Sequence, residues 1–154
     1  MIDILSVTQF IELNPDDDTA YIYRGNIYDR TEKYDEEVND YNKAIELNPR
    51  NEIAYDNRGC TYINMGRYAE AVSNFNKAVD LKPDSVSSWR HLGKVFFLLG
   101  KYQDALEALS KAIELNEEYA EAYEDRAKVY RSLGENESAK KDEKTARELK
   151  ANRE

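Results

Sequence analysis

Cysteine and histidine are nearly absent: Cys60 and His91 stand alone in 154 residues. A lone cysteine cannot close an intramolecular disulfide, so a stapled secreted scaffold is excluded and a reducing compartment is the simpler expectation. Long apolar runs are missing too. No stretch approaches the roughly 20 residues of a membrane span, and the apolar start Met1 to Leu13 contains Asp3 and has no basic residue before Arg24, unlike a signal peptide. Positive charge is in deficit, 22 basic against 31 acidic residues for a net charge of -9. That argues against general binding of nucleic acid or an anionic membrane, which needs a positive footprint. A protein free in the cytoplasm, with no nucleic acid and no membrane among its partners, is expected.

Glycine and proline are also scarce, six and three, and their placement is informative. Every one falls at a fixed phase of a 34-residue period that the aromatics share: Tyr21, Tyr55, Trp89 and Tyr123; Tyr28, Tyr62, Phe96 and Tyr130; and likewise Ala44, Ala78, Ala112 and Ala146. Gly25, Gly59 and Gly93 interrupt apolar helical patterns, where glycine costs about 1 kcal/mol relative to alanine, so close helix approach must compensate. Gly66, Gly100 and Gly134 follow such patterns at the phase of a left-handed helix stop. Glu32 stands there in the first repeat, which predicts a looser or differently built turn. Pro15, Pro49 and Pro83 end the second helix of a pair; Glu117 and Ala151 replace them later and predict weaker stops. Between these marks, Tyr68, Ala71, Val72, Phe75, Ala78, Val79 and Leu81 recur at three- and four-residue steps, as an amphipathic helix requires.

Each repeat is therefore a helix pair, expected at 18–51, 52–85, 86–119 and 120–154. Residues 1–17 align as TQFIELNPDD with NKAIELNPRN, the second helix of a further, half repeat. Exposed Leu5, Phe10 and Ile11 on that half repeat are candidates for self-association, which would make the chain a homo-oligomer; a short capping helix is the plain alternative. At the other end Lys140, Lys141, Asp142, Glu143 and Lys144 form a polar cap, as solenoid ends require. Comparison between repeats adds one pairing rule. Where Arg24, Arg58 or Arg126 stands, Asp40, Asn74 or Asp142 follows sixteen residues later; where Leu92 stands, Ala108 follows. A short turn brings these positions together, so a polar bridge is expected in the first, second and fourth pairs.

The order aromatic, small residue, aromatic, glycine, Tyr, Ala, aromatic, Ala, Pro, carried best by Tyr55, Gly59, Tyr62, Gly66, Tyr68, Ala71, Phe75, Ala78 and Pro83, resembles the tetratricopeptide repeat. The resemblance implies an all-α, right-handed superhelical solenoid of antiparallel helix pairs, and a protein or peptide held in a concave groove lined by the first helices. Mapped residue by residue, that groove takes Tyr23, Asn26 and Arg30, then Asn57 and Asn64, then Arg90, His91, Lys94 and Phe97, then Lys128 and Arg131. Asparagines that bond an extended backbone, with a cluster of Arg90, Lys94, Lys128 and Arg131, suit a peptide bearing an acidic group. Chaperone-binding members of the family share a clamp of Lys, Asn, Asn, Lys and Arg. Asn26 and Asn57 match its asparagines, but Ile22, Ser87 and His91 replace its cations, so a chaperone tail held by that clamp is not expected.

Catalysis is not expected either. Cys60 and His91 fall in adjacent repeats of the implied groove, where a nucleophile pair is conceivable and two ordinary groove residues are the simpler account. Paired acids such as Glu36–Glu37 lie at turn phases, where solvated charge explains them. No metal or cofactor is called for. The functions in competition are a peptide-binding scaffold, a self-assembling structural unit, and a regulatory module of a larger protein.

Overall fold

A computed structural model describes residues 4–152. Nine α-helices occur among them: α1 Ile4–Leu13, α2 Asp18–Asp29, α3 Tyr34–Leu47, α4 Glu52–Asn64, α5 Tyr68–Leu81, α6 Val86–Leu98, α7 Tyr102–Leu115, α8 Ala120–Ser132 and α9 Asn136–Ala151. They fall into two compact units, Met1–Leu81 and Lys82–Glu154. Within the first, α2 packs on α3 and α4 on α5, with α1 against α2 and α3 against α4; within the second, α6 packs on α7 and α8 on α9, with α7 against α8. The architecture is all-helical and built from consecutive helix pairs.

Helix starts follow local chemistry. Asp17 and Asn51 cap α2 and α4 by accepting from Thr19 N and Ala20 N, and from Ile53 N and Ala54 N, while Ser85 accepts from Ser88 N at α6. The mid-helix glycines admit their partner helix. A Cβ on Gly25 would lie 2.7 Å from Tyr41 Cε1, on Gly59 2.7 Å from Phe75 Cε1 and on Gly93 2.5 Å from Leu109 Cγ. Tyr41, Phe75 and Leu109 are in turn almost wholly buried. Packing against large side chains is what offsets glycine's poor helix propensity.

Two expectations about the stops need correction. Glu32 builds the same turn as the glycines do: its φ is 56°, beside 73°, 72° and 78° at Gly66, Gly100 and Gly134, and Lys33 N donates to Tyr28 O as Arg67 N donates to Tyr62 O. The bond pattern dictates the conformation, and Glu32 bears the left-handed strain of about 1–2 kcal/mol. Glu32→Gly is therefore expected to raise stability by up to about 1 kcal/mol, the flexibility of glycine in the unfolded chain offsetting the remainder; thermal unfolding measures it. The loss of proline at Glu117 also leaves α7 ending as sharply as α3. Asn116 caps it as Asn48 caps α3, with similar backbone angles, and Glu118 N donates to Asn116 Oδ1. Only α9, where Ala151 stands, runs two residues longer than α7, 16 against 14.

The pairing rule holds in each repeat that carries it. Arg24 Nε and Nη2 donate to Asp40 at 2.8 and 2.7 Å, Arg126 Nε and Nη2 to Asp142 at 2.7 and 2.9 Å, and Arg58 Nε to Asn74 Oδ1 at 2.8 Å. Each guanidinium also reaches the preceding pair's second helix, at Thr8, Asn42 and Ser110, and lies 5.6–5.8 Å from the ring of Tyr21, Tyr55 or Tyr123 on its own helix. One arginine thus ties three helices. In α6 and α7, Leu92 and Ala108 fill the same positions as a buried apolar pair.

Glu37 overturns the solvated-acid reading of Glu36–Glu37. Its side chain is 3% exposed, where Ala71, Ala105 and Ala139 stand in the other pairs. Oε1 accepts a 2.7 Å bond from Thr61 Oγ1, and Oε2 has no partner. In the second unit the corresponding contact is apolar, Ala105 with Val129.

Candidate functional site

In the second unit, α6, α7 and α8 enclose a hollow of about 180 Å³ lined by Lys94, Phe97, Leu98, Leu109, Asp125 and Lys128. Leu109 forms its buried floor because Gly93 leaves room above it. Phe97 lies at 5.9 Å from the Tyr102 ring, tilted by 44°, which holds one wall. Asp125 is 6% exposed and accepts from both Arg90 Nε and Lys128 Nζ at 2.7 Å. Arg131 is held in a bidentate pair with Glu143 at 2.7 and 2.8 Å. Of the four cations expected to receive an acidic ligand, three are thus paired within the protein. Lys94, half-buried at the edge of the hollow, forms no ion pair among the described residues.

The remaining groove candidates disperse. Asn26 and Asn57 come together: Asn26 Oδ1 accepts from Tyr41 OH at 2.7 Å and from Asn57 Nδ2 at 2.9 Å, so part of their bonding capacity is used between α2, α3 and α4. Arg30 and Asn64 are exposed near the ends of α2 and α4, and His91 is half-buried on α6. Tyr23 is 54% exposed and faces α1.

A second concavity lies in the first unit, between α1 and α2. It measures about 500 Å³ and is lined by Ser6, Val7 and Phe10 on one side and Asp17, Thr19, Ala20 and Tyr23 on the other. Leu5 and Phe10 are exposed, 64% and 48%, whereas Ile11 is buried at 7% in the core with Tyr21, Ile22 and Tyr41. Thr19 and Ala20 were not legible as lining residues. Phe10 at the phase of Ala44, Ala78 and Ala112 was the available signal. No helix among the described residues is long and apolar enough to cross a membrane.

Among solved structures, the chain is similar to a crystal structure of MamA, with a TM-score of 0.87 and 20% identity over 97% of this chain and 88% of that one. It is similar in the same way to MamA 41-end from Desulfovibrio magneticus RS-1, TM-score 0.87 at 16% identity over 97% and 84% of the two chains. The first TPR of Spaghetti (RPAP3) bound to the HSP90 peptide SRMEEVD gives 0.74 at 27% identity, covering 76% of this chain and 93% of that one. Comparison with curated protein sequences finds no match. Family models do match: one described as TPR repeat over residues 59–100 and 93–134, and two described as tetratricopeptide repeat over 40–73 and 19–51. The 34-residue phase, the helix pairs and these matches along residues 19–134 agree, and the chain belongs to the tetratricopeptide repeat family.

Proposed function

We propose that the chain is a protein-interaction scaffold that takes an extended peptide across α6 and α8, seating one apolar side chain beside a carboxylate. The observation that carries this reading is the hollow over Leu109 with Lys94 at its edge. A leucine- or phenylalanine-sized group suits an apolar floor of about 180 Å³. Lys94 supplies an ammonium with no internal carboxylate to displace. Lys128 and Arg90 converge on Asp125, so a ligand carboxylate meets cations that are already positioned and partly neutralised. The tetratricopeptide fold supports the general role, since its first helices present side chains on one face. The peptide in the Spaghetti (RPAP3) structure offers a precedent for an acidic segment. Ile22, Ser87 and His91 stand where the chaperone clamp has cations, so SRMEEVD itself is expected to bind weakly.

Selection of random heptapeptides on the full chain is expected to enrich an aliphatic or aromatic residue next to Asp or Glu. Lys94→Glu is expected to weaken the selected peptides by about tenfold, roughly 1.4 kcal/mol, measured by fluorescence anisotropy. Enrichment without an acidic residue, or affinities unmoved by the substitution, would sink the reading.

A further inference from the structure

One groove of the second unit lacks the cation that its counterparts hold. Between α6 and α7 lies a hollow of about 390 Å³, with Trp89 and Phe96 along α6 and Asp104, Glu107 and Lys111 along α7. Leu92 and Ala108, 3% and 4% exposed, form its floor. It opens on the side of α6 away from Lys94, because Trp89, Leu92 and Phe96 recur at steps of three and four and Lys94 falls outside that stripe. The 34-residue period supplies three comparisons. In α2–α3, α4–α5 and α8–α9 the phase of Leu92 carries Arg24, Arg58 and Arg126, each with its guanidinium 5.6–5.8 Å from the ring at the phase of Trp89. Arg126 also lies 5.8 Å from Tyr130, at the phase of Phe96. The groove of a pair is thus built to set a guanidinium beside aromatic rings, a contact that Trp makes best. In α6–α7 the rings remain and one of them is Trp, but Leu92 brings no charge. The indole is fixed, since Nε1 donates to Pro83 O at 2.8 Å and the ring packs against the cluster of Ala112, Ile113 and Ala122.

The acids of this groove differ as well. Ala108 replaces the Asp or Asn that receives the internal arginine. Asp104 and Glu107 stand three residues apart, on one face of α7, at phases that carry Glu36 and Asn39, Glu70 and Ser73, and Ser138 and Lys141 in the other pairs. Only α7 has an acid at both. The two carboxylates are exposed, and neither forms an ion pair among the described residues. Lys111 does not neutralise them, because its Nζ donates to both oxygens of Glu114 at 3.0 Å. Two unpaired carboxylates beside two aromatic rings are complementary to a planar guanidinium, which stacks on a ring and engages carboxylates through its fork of donors. A compact ammonium lacks that fork. The hollow is larger than one arginine side chain, which leaves room for an apolar side chain of the same segment.

We infer that the α6–α7 groove receives an arginine of a partner protein, its guanidinium over Ala108 between Trp89 and Phe96, with Glu107 and Asp104 as its carboxylates. The partner supplies from outside the group that Arg24, Arg58 and Arg126 supply from within. The rings give the contact its affinity, and the two acids select the charge.

The probes are short capped peptides in which a leucine precedes, by two positions, an arginine, a lysine or a citrulline, the last being the neutral counterpart of arginine. Trp89 is the single tryptophan of the chain, so its indole resonance reports on this groove alone. Titrated into the isotopically labelled full chain, the arginine peptide is expected to shift that resonance and the amides of α6 and α7. It is expected to bind at least about tenfold tighter than the citrulline peptide, and tighter than the lysine peptide. Asp104→Asn with Glu107→Gln, changes at exposed positions, is expected to weaken the arginine peptide by about tenfold while the amide spectrum stays that of the folded chain. Leu92→Arg with Ala108→Asp, which builds the internal bridge of the other pairs, is expected to abolish binding. No shift of the indole with any peptide, citrulline or lysine bound as tightly as arginine, or an affinity unmoved by the two amides overturns the proposal. So does free L-arginine bound as tightly as the peptide, which makes the groove a site for an amino acid.

Discussion

Arg126→Leu is expected to destabilise the protein by about 3 kcal/mol, and adding Asp142→Ala to recover most of that loss. Asp142 is 4% exposed, and Arg126 takes both of its oxygens. Removing the arginine alone strands a carboxylate out of water, the costly way to break a buried pair, about 3–5 kcal/mol. Removing both leaves Leu with Ala, the combination that Leu92 and Ala108 already form in α6 and α7 at 3% and 4% exposure. The chain thus contains a tested substitute for its own ion pair, and an apolar replacement of similar volume is commonly neutral. For a chain of this size the single change corresponds to a drop of about 6–12 °C in Tm, and the double to within about 3 °C of the parent. Equal losses in the two variants would mean that Arg126 acts through Ser110 and the Tyr123 ring instead. Arg58→Leu is expected to cost less, about 1–2 kcal/mol, because Asn74 is neutral and its Nδ2 keeps a bond to Glu70 O.

Glu37→Ala combined with Thr61→Val is expected to stabilise the first unit by about 1–3 kcal/mol, the cost of a buried polar atom left without a partner. The variant reproduces the Ala105–Val129 contact of the second unit and removes the unpartnered Oε2. Burial raises the Glu37 pKa above the ordinary carboxylate value, Thr61 lowers it in part, and Asp29 raises it. The folded chain accordingly holds the proton more tightly than the unfolded chain does. Stability that depends on the protonated group is complete below the unfolded pKa, near 4.3, and falls as pH rises toward the folded pKa. The gain from the double variant is therefore expected to be smaller at pH 4 than at pH 8. A gain that is the same at both would place the Glu37 carboxylate in contact with solvent. Thr61→Val alone is expected to destabilise, since it removes the 2.7 Å hydroxyl bond that Glu37 Oε1 accepts.

Whatever lies within one helix pair is legible in the sequence. Arg24 and Asp40 are sixteen residues apart, joined by two helices and a short turn, and the geometry of such a hairpin leaves little freedom. The sequence comparison among repeats therefore found the bridges, including the absence at Leu92. Contacts between pairs were less visible. Asp125 is thirty-five residues from Arg90, and nothing in either residue's local pattern says that they meet, nor that Lys128 shares the same carboxylate. The expected cluster of four free cations accordingly became one free ammonium and three paired groups. Glu37 was misread for a similar reason. Its helix position was correct, but its exposure depended on how closely α4 approaches α3, which the charge of the side chain does not reveal.

By itself the sequence determined the period, the helix pairs and the family, because these rest on spacing and apolar periodicity, which act over short separations. Only the tertiary structure decided which charges remain free at the α6–α8 hollow, that a carboxylate is buried beside Thr61, and that α1 and α2 enclose a concavity between Phe10 and Tyr23. Those depend on the distance and rotation between neighbouring helices. Electrostatic pairing and burial are set by that placement and not by the identity of any one residue.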